Sequence, residues 1–364
     1  MAKYCVFCGN KPQDKNKEHI IPRWLINKTG NPTRNINLGI DMRLENNGER
    51  VRSHAFDKLT LPACEKCNSQ FGKIEEKVKC VIESILEHNC MRYEDISILL
   101  DWLDKVRIGL WHYFYIMNGN IMDIDPHFHI NSRVRAFDRM LIIYKVPGMT
   151  KGINFTGTDT MAFQLMPSAF LFRINDYYFL NISKEFLLAR RFGFPFLESK
   201  EYVNEQSDQF VASIVAGTGK MRLPLLKYSF LEGGTEVYQP ILFDIENKEL
   251  FRKLYDNEYV RQHCLDWNGR LGKPEVIRVK KCVGDEKEEL VRFYEIYSDA
   301  KLFHIYMAME IYKCQIELIK NTEIGTNNLS DEIKRIYDDK ANAAIRYNKF
   351  IIEKLEKELK EIRR

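Results

Sequence analysis

Cys5-Val-Phe-Cys8, Glu18-His19-Ile20-Ile21-Pro22 and Cys64-Glu-Lys-Cys67-Asn68 are the three pieces of this chain whose combined reading decides its fold. Each Cys-x-x-Cys turn presents two sulfurs to one side, and four thiolates complete the closed tetrahedron that structural zinc prefers. The spacing predicts Cys5, Cys8, Cys64 and Cys67 as the ligands of one Zn2+, with two unrelated pairs of buried thiols as the alternative. The 55 residues between the pairs exceed the span of a compact zinc ribbon. That loop therefore holds something besides the clamp, and the Glu-His dipeptide lies within it.

Working outward, residues 1–62 are rich in Asn, Gly, Pro and Asp and read as loops and short strands, with an extended piece from Glu18 to Ile21. Pro62 then precedes a helix on which Phe71, Ile74, Val78, Val81, Ile82 and Ile85 recur at helical spacing. So long an apolar face needs more cover than the small module provides. A second helix is predicted over Tyr93–Met117, with Ile96, Leu99, Leu100, Leu103, Val106, Leu110, Trp111 and Phe114 inward and Gly119 as its stop.

From Arg133 to Ile182 the pattern turns to strands: Met140–Tyr144, Thr160–Leu165 and Ala169–Ile182, the last a hairpin turning at Asn175-Asp176. Phe192 to Cys282 is mixed and yields no order. Helices return from about Glu286, and the last, Asp331 to Arg364, carries Ile345, Asn348, Ile352, Leu355, Leu359 and Ile362 in one stripe. That stripe fits a helical hairpin folded back on Lys301–Ile319, or a homodimer with Asn348 as a polar seam residue. The expected fold class is α+β: a zinc-stapled module over residues 1–92, then a larger mixed α+β domain over 93–364 with a helical hairpin from about 298. Cys80, Cys90, Cys264, Cys282 and Cys314 read as small buried hydrophobes.

Hydrophobic residues make up 45% and charged residues 29%, the balance of a soluble globular protein. No apolar run is long enough to span a membrane, and no signal peptide is visible, so the expected compartment is a reducing cytoplasm, where paired cysteines favour metal over disulfides. The net charge of +4 is unevenly spread: residues 1–60 hold 11 Lys and Arg against 6 Asp and Glu, a local net of +5. A basic bias around the Cys and His motifs suits a polyanionic partner, with a solvated basic loop over Asn31–Arg52 as the plainer reading. Neither a Walker-type loop nor Gly-x-Gly-x-x-Gly is present, which argues against an ATPase or dinucleotide site.

Taken together, Cys-x2-Cys, Glu-His-x2-Pro and Cys-x2-Cys-Asn resemble the HNH endonuclease superfamily in its zinc-stapled, treble-clef ββα-metal form, over about residues 3–90. The resemblance implies a knuckle, a β-hairpin and a helix, with a divalent metal held between strand and helix. His19 would be the general base, since a neutral imidazole takes a proton from water near physiological pH. Glu18 and Asn68 would supply oxygens to a catalytic Mg2+ or Mn2+. The substrate implied is nucleic acid, DNA favoured over RNA, cut to 5′-phosphate and 3′-hydroxyl ends, in a setting such as restriction or defence against phage. Taken singly, His19 is a structural histidine, Asn68 a helix-capping residue, and Glu18 a side chain that orients His19 or contacts another cation.

The chain departs from the family pattern in two ways. The central Asn is missing: the matching stretch reads Asp57-Lys58-Leu59-Thr60-Leu61, so orientation of the base falls to Asp57, Lys58 or a backbone carbonyl. Asn68 stands where the last His would be. Glu75 lies two helical turns beyond it, about 10 Å along the axis, and is expected to pair with a base such as Lys79. Arg23, Arg50 and Arg52 are candidate phosphate clamps, and His54 a phosphate contact, a metal ligand or a solvated loop residue. Trp24 reads as a packing anchor beside Pro22, and His127 with His129 as a pair that more often holds nothing. Two other functions compete: a non-catalytic zinc-stabilised module binding nucleic acid or protein, and an RNA-cleaving toxin held off by a partner. Residues 93–364 carry no motif that names a ligand.

Overall fold

The computed structural model describes residues 4–12, 16–40, 51–118, 120, 122, 129–202, 210–225, 230–241, 249, 253–254, 258–262, 275–276, 282–283, 289–322 and 330–363. It is a mixed α+β structure with several small sheets and one larger one. Near the N-terminus, strand β1 (Asn16–His19) leads into the short helix α1 (Arg23–Lys28). Strands β2 (Asn35–Ile40) and β3 (Val51–Ala55) pair antiparallel, and β4 (Thr60–Ala63) pairs antiparallel with β1, setting His19 opposite Thr60 and Glu18 opposite Leu61. Helix α2 (Glu65–His88) follows at once and buries Cys67, Phe71, Val78, Val81, Ile82 and Ile85, the expected stripe except that Ile74 is half-buried. Strand β5 (Cys90–Arg92) and one 3-10 turn at Tyr93–Asp95 separate it from α3 (Ile96–Asn118), so the second helix starts one turn later than its apolar pattern suggests.

Helix α3 lies at the centre. Strands β6 (Asp138–Lys145), β7 (Ile153–Thr156), β8 (Ala169–Ile174) and β9 (Tyr177–Lys184) belong to an antiparallel six-stranded sheet that the strands Thr235–Gln239 and Glu275–Val276 complete beyond β6. Alternation along β6 sends Leu141 and Ile143 to the face that packs with α3 and the cysteine module, and Met140, Ile142 and Tyr144 to the face that packs with the C-terminal helices. Both faces are covered, which is why these strands read as near-continuous apolar runs rather than as alternation. The same core cluster contains Phe7, Leu61 and Val78 from the first 92 residues and Trp102, Phe172 and Phe179 from beyond them, so apolar packing runs unbroken across that position.

Three sequence expectations need correction. Thr160–Leu165 is not a strand: Met161–Leu165 is a single helical turn capped by the Thr160 hydroxyl, which accepts from the Phe163 N–H at 3.0 Å. Among described residues after Glu286, Glu289–Arg292 is a strand beside β5, and the helix begins at Ala300. Cys80 is exposed, whereas Cys314 is buried as expected and Cys264 lies outside the described residues. Asn175-Asp176 does form the hairpin turn between β8 and β9, with Asn175 at φ +50°.

The helices Ala300–Lys320 and Asp331–Ile362 pack on each other, capped at their starts by Asp299 and Ser330. Asn348 is fully buried between them and donates to the Tyr312 carbonyl at 3.2 Å and to Gln315 Oε1 at 2.9 Å. The amide NH2 of this polar stripe position is thus bonded within the chain, while its buried Oδ1 has no partner among the described residues. No helix among the described residues is long and apolar enough to cross a membrane.

Candidate functional site

The first cysteine pair sits on a tight knuckle. Gly9 donates to the Cys5 carbonyl at 2.9 Å and adopts φ +76°, a left-handed conformation that glycine takes without steric cost. A side chain there would also run into the His129 ring. The Val6 N–H donates to the Pro62 carbonyl at 2.9 Å, which ties the knuckle to β4 just ahead of the second pair. Cys64 caps α2 in an extended conformation, so Cys67 follows within the first turn.

These elements bring the four sulfurs within 4.8 Å of one another, with no disulfide between them. Cys8 and Cys64 are 3.9 Å apart, and a tetrahedral zinc with Zn–S near 2.3 Å sets its sulfurs about 3.8 Å apart. The donor set fits. Hydrogen bonds from the Cys67 thiol and backbone lower the Cys64 pKa to about 7, while burial pushes Cys5 and Cys67 up. A divalent ion would bind the four sulfurs as thiolates, displacing their protons. Among the described residues no other group of three or more His, Cys, Asp and Glu comes close enough to share a metal.

The β1–β4 ladder positions the Glu-His pair. Residues on a strand alternate between faces, so Asn16 and Glu18 share one face and His19 points to the other. On the first face the strand meets α2. The Asn68 amide donates to Asn16 Oδ1 at 3.4 Å, and two turns further along α2, Glu75 comes beside Glu18. Between these two carboxylates lies the ammonium of Lys105, reaching in from α3 and bonded to both. Glu75 thus pairs with Lys105, not with Lys79 as the helical spacing suggested. Burial raises the Glu18 pKa, Lys105 opposes that rise, and the neighbouring Glu75 adds to it.

On the other face His19 is half-buried, and its Nδ1 has no hydrogen-bond partner. Desolvation lowers its pKa first, the Arg23 charge lowers it further, and Asp57 pulls the other way. Asp57 stands in the 3-10 turn Phe56–Lys58 that feeds β4, and its buried Oδ1 is also unpartnered. Two complementary atoms without partners therefore flank the same strand end, where Lys17, Arg23 and Lys58 are exposed.

The remaining candidates separate. His54 on β3 is held against α3, its Nδ1 3.2 Å from the Tyr113 hydroxyl and its ring edge-on to that tyrosine. Arg52 also lies on β3, while Arg50, His127 and Gly119 fall outside the described residues. Trp24 packs on the core, as an anchor would, and His129 stacks on His112 with ring centroids 5.7 Å apart. Gly109 of α3 gives Ile20 room to approach: a Cβ there would be 3.3 Å from an Ile20 methyl.

Sequence reasoning missed Lys105. Its signal was the run Asp101, Asp104, Lys105 and Arg107 on an otherwise apolar helix, all four buried. Asp101 pairs with Arg139 at 2.7 Å and Arg135 at 2.5 Å, and Asp104 with Arg107 at 2.7 Å. Buried charges need partners, and those partners come from the sheet side for three of the four and from the cysteine module for Lys105. Comparison of the chain with protein-family models, with curated proteins and with solved structures gives no match.

Proposed function

We propose that the N-terminal module is a metal-dependent endonuclease of the HNH type, built as a zinc-stapled treble clef, that hydrolyses phosphodiester bonds in nucleic acid, with DNA favoured. The observation that carries the reading is one compact ββα unit. It joins a four-cysteine cluster, an antiparallel strand bearing Glu18 and His19, and a helix bearing Asn68.

His19 is the general base. Burial and the Arg23 charge keep its ring neutral near physiological pH, ready to accept a proton from water. Asp57, on the turn before β4, does not bond the His19 Nδ1, but its negative charge acts on the ring and would stabilise the imidazolium once it forms. Arg23, Lys17 and Lys58 bind the phosphate backbone from the exposed side of the strand. The resemblance assigns a catalytic Mg2+ or Mn2+ to Glu18 and Asn68, but Asn68 meets Asn16 while Glu18 meets Lys105 and Glu75 two turns along α2, so the two side chains as placed do not fit one ion and no step is routed through it. Cys5, Cys8, Cys64 and Cys67 would hold Zn2+, which would tie the knuckle to the helix start as a structural ion. Four free thiols suit a reducing compartment.

The engagement of Glu18 by Lys105 favours a second reading, a non-catalytic zinc-stabilised module that binds nucleic acid or protein. Incubating plasmid DNA and a structured RNA with the full chain and Mg2+ or Mn2+, beside His19→Ala, separates the two. Cleavage that disappears with His19 supports the enzyme, and no cleavage with either metal supports the binding module.

A further inference from the structure

Away from the cysteine module, a cavity of about 310 Å3 opens between the edge strand β7, the loop that follows it and the two C-terminal helices. That is room for a small molecule. Phe155, Ile305, Ala308, Tyr312 and Leu355 give it an apolar, partly aromatic wall. The Lys301–Glu358 ion pair, 64% and 45% exposed, marks its mouth. Thr158, which is buried, and Asp159 line it from the loop. Gln315 fixes that loop from behind: its amide donates to the Gly157 carbonyl at 2.6 Å, and its Oε1 accepts from the Thr160 hydroxyl at 3.0 Å and from Asn348 at 2.9 Å. The cavity wall is thus held in place by bonds to both helices.

Apart from its own N–H, no donor among the described residues reaches the Asp159 carboxylate. Burial raises its pKa, as it does for an acid without a counter-charge. Tyr312 and Tyr347 both feel the Asp159 charge, and the buried Tyr347 hydroxyl also has no hydrogen-bond partner among the described residues. An ammonium group meets these needs, since it supplies the charge-assisted bond that Asp159 lacks and lies favourably against aromatic faces. Asp159 need not be ionised beforehand, because the incoming positive charge draws its pKa back down. An anion fits worse. Lys301 is engaged by Glu358, and burial with the Arg173 charge keeps His304 neutral.

We infer that this cavity binds a small organic amine, its ammonium group at Asp159 and its apolar body against Phe155 and Tyr312. The site goes beyond the nuclease reading and shares no residue with it.

The test is isothermal titration of the zinc-loaded full chain with phenethylamine and isoamylamine, beside phenylacetate and phenethyl alcohol as acidic and neutral counterparts of the first. At least one amine should bind with millimolar or better affinity. Phenethylamine should bind at least about tenfold more tightly than phenylacetate or phenethyl alcohol, the difference that one charge-assisted hydrogen bond makes. Asp159→Asn, of the same shape and uncharged, should weaken amine binding by about tenfold or more. Its melting temperature without ligand should equal or exceed that of wild type, because a desolvated carboxylate without a partner has been removed. Lys301→Met should not weaken the amine. Binding of neither amine, amine binding that survives Asp159→Asn, or an alcohol or acid that binds as well as the amine would each overturn the assignment. An Asp159→Asn chain that melts well below wild type would overturn it too, since Asp159 would then already be bonded within the protein. None of these readouts uses cleavage, so the nuclease reading and this site stand or fall separately.

Discussion

The Glu18 carboxylate and the Lys105 ammonium, 87 residues apart in the chain, form a buried ion pair between the cysteine module and the central helix α3. Breaking a buried pair from one side leaves an uncompensated charge in a desolvated place, at a cost of about 3–5 kcal/mol. Lys105→Ala, in buffer without free divalent ions, should therefore lower the urea midpoint sharply. A shift below about 1 kcal/mol, the range of solvent-screened surface pairs, would mean that water reaches the pair.

The cysteine cluster makes a second prediction. Wild-type protein should purify with about one equivalent of zinc, and Cys64→Ser with Cys67→Ser should lose it, because a loop-rich module relies on the metal for its folding free energy. Metal analysis gives the stoichiometry. Hydrogen exchange locates the damage: amides of the β1–β4 ladder and the start of α2 should lose protection, whereas those of β6, β8 and β9 should retain it. A double variant that still carries a full equivalent of zinc would rule the cluster out as the ligand set.

Asp138 at the start of β6 makes a third. Its carboxylate is fully buried and accepts from the N–H groups of Leu188 at 2.5 Å, Ala189 at 2.6 Å and Ile241 at 2.7 Å. Desolvation outweighs those bonds and raises its pKa to about 6. The folded state then binds more protons than the unfolded state across the interval between the ordinary carboxylate value and about 6. The contribution of this group is full below the unfolded value and is lost as pH rises through the folded one. Relative to Asp138→Asn, which does not titrate, wild type should lose about 2–3 kcal/mol of stability between about pH 4 and 6.5. A difference that moves the other way would mean that the three N–H donors win over burial.

Asn348 makes a fourth. Its amide group ties the last helix to the Tyr312 carbonyl and Gln315. Asn348→Ala removes the donor from buried acceptors and should cost about 1–3 kcal/mol in denaturant unfolding. An effect near zero would mean that the Tyr312 carbonyl finds another donor, Gln315 Oε1 already accepting from the Thr160 hydroxyl.

Much of this architecture was legible because local patterns agreed with it. Phe71, Val78, Val81, Ile82 and Ile85 mark α2 by period alone, and Asn175-Asp176 between apolar runs marks the β8–β9 hairpin. The Cys-x-x-Cys pairs fix the cysteine cluster, since that spacing has one common physical use. Where the reading failed, the reason is physical. Met161–Leu165 is too short for a helical period to register, and Thr160 and Phe163 are strand-favouring residues held instead by a cap. Lys105 was invisible as a partner of Glu18 because no local pattern links positions so far apart; only a charged residue on an apolar helix hinted at a distant carboxylate.

Cleavage of supercoiled plasmid by the zinc-loaded chain in Mg2+ or Mn2+, compared between wild type and His19→Ala, bears most directly on the proposed chemistry. Wild type should give nicked and linear product, and His19→Ala should lose about 10²–10⁴-fold in rate, the usual contribution of a general base. Equal rates from the two proteins would contradict it.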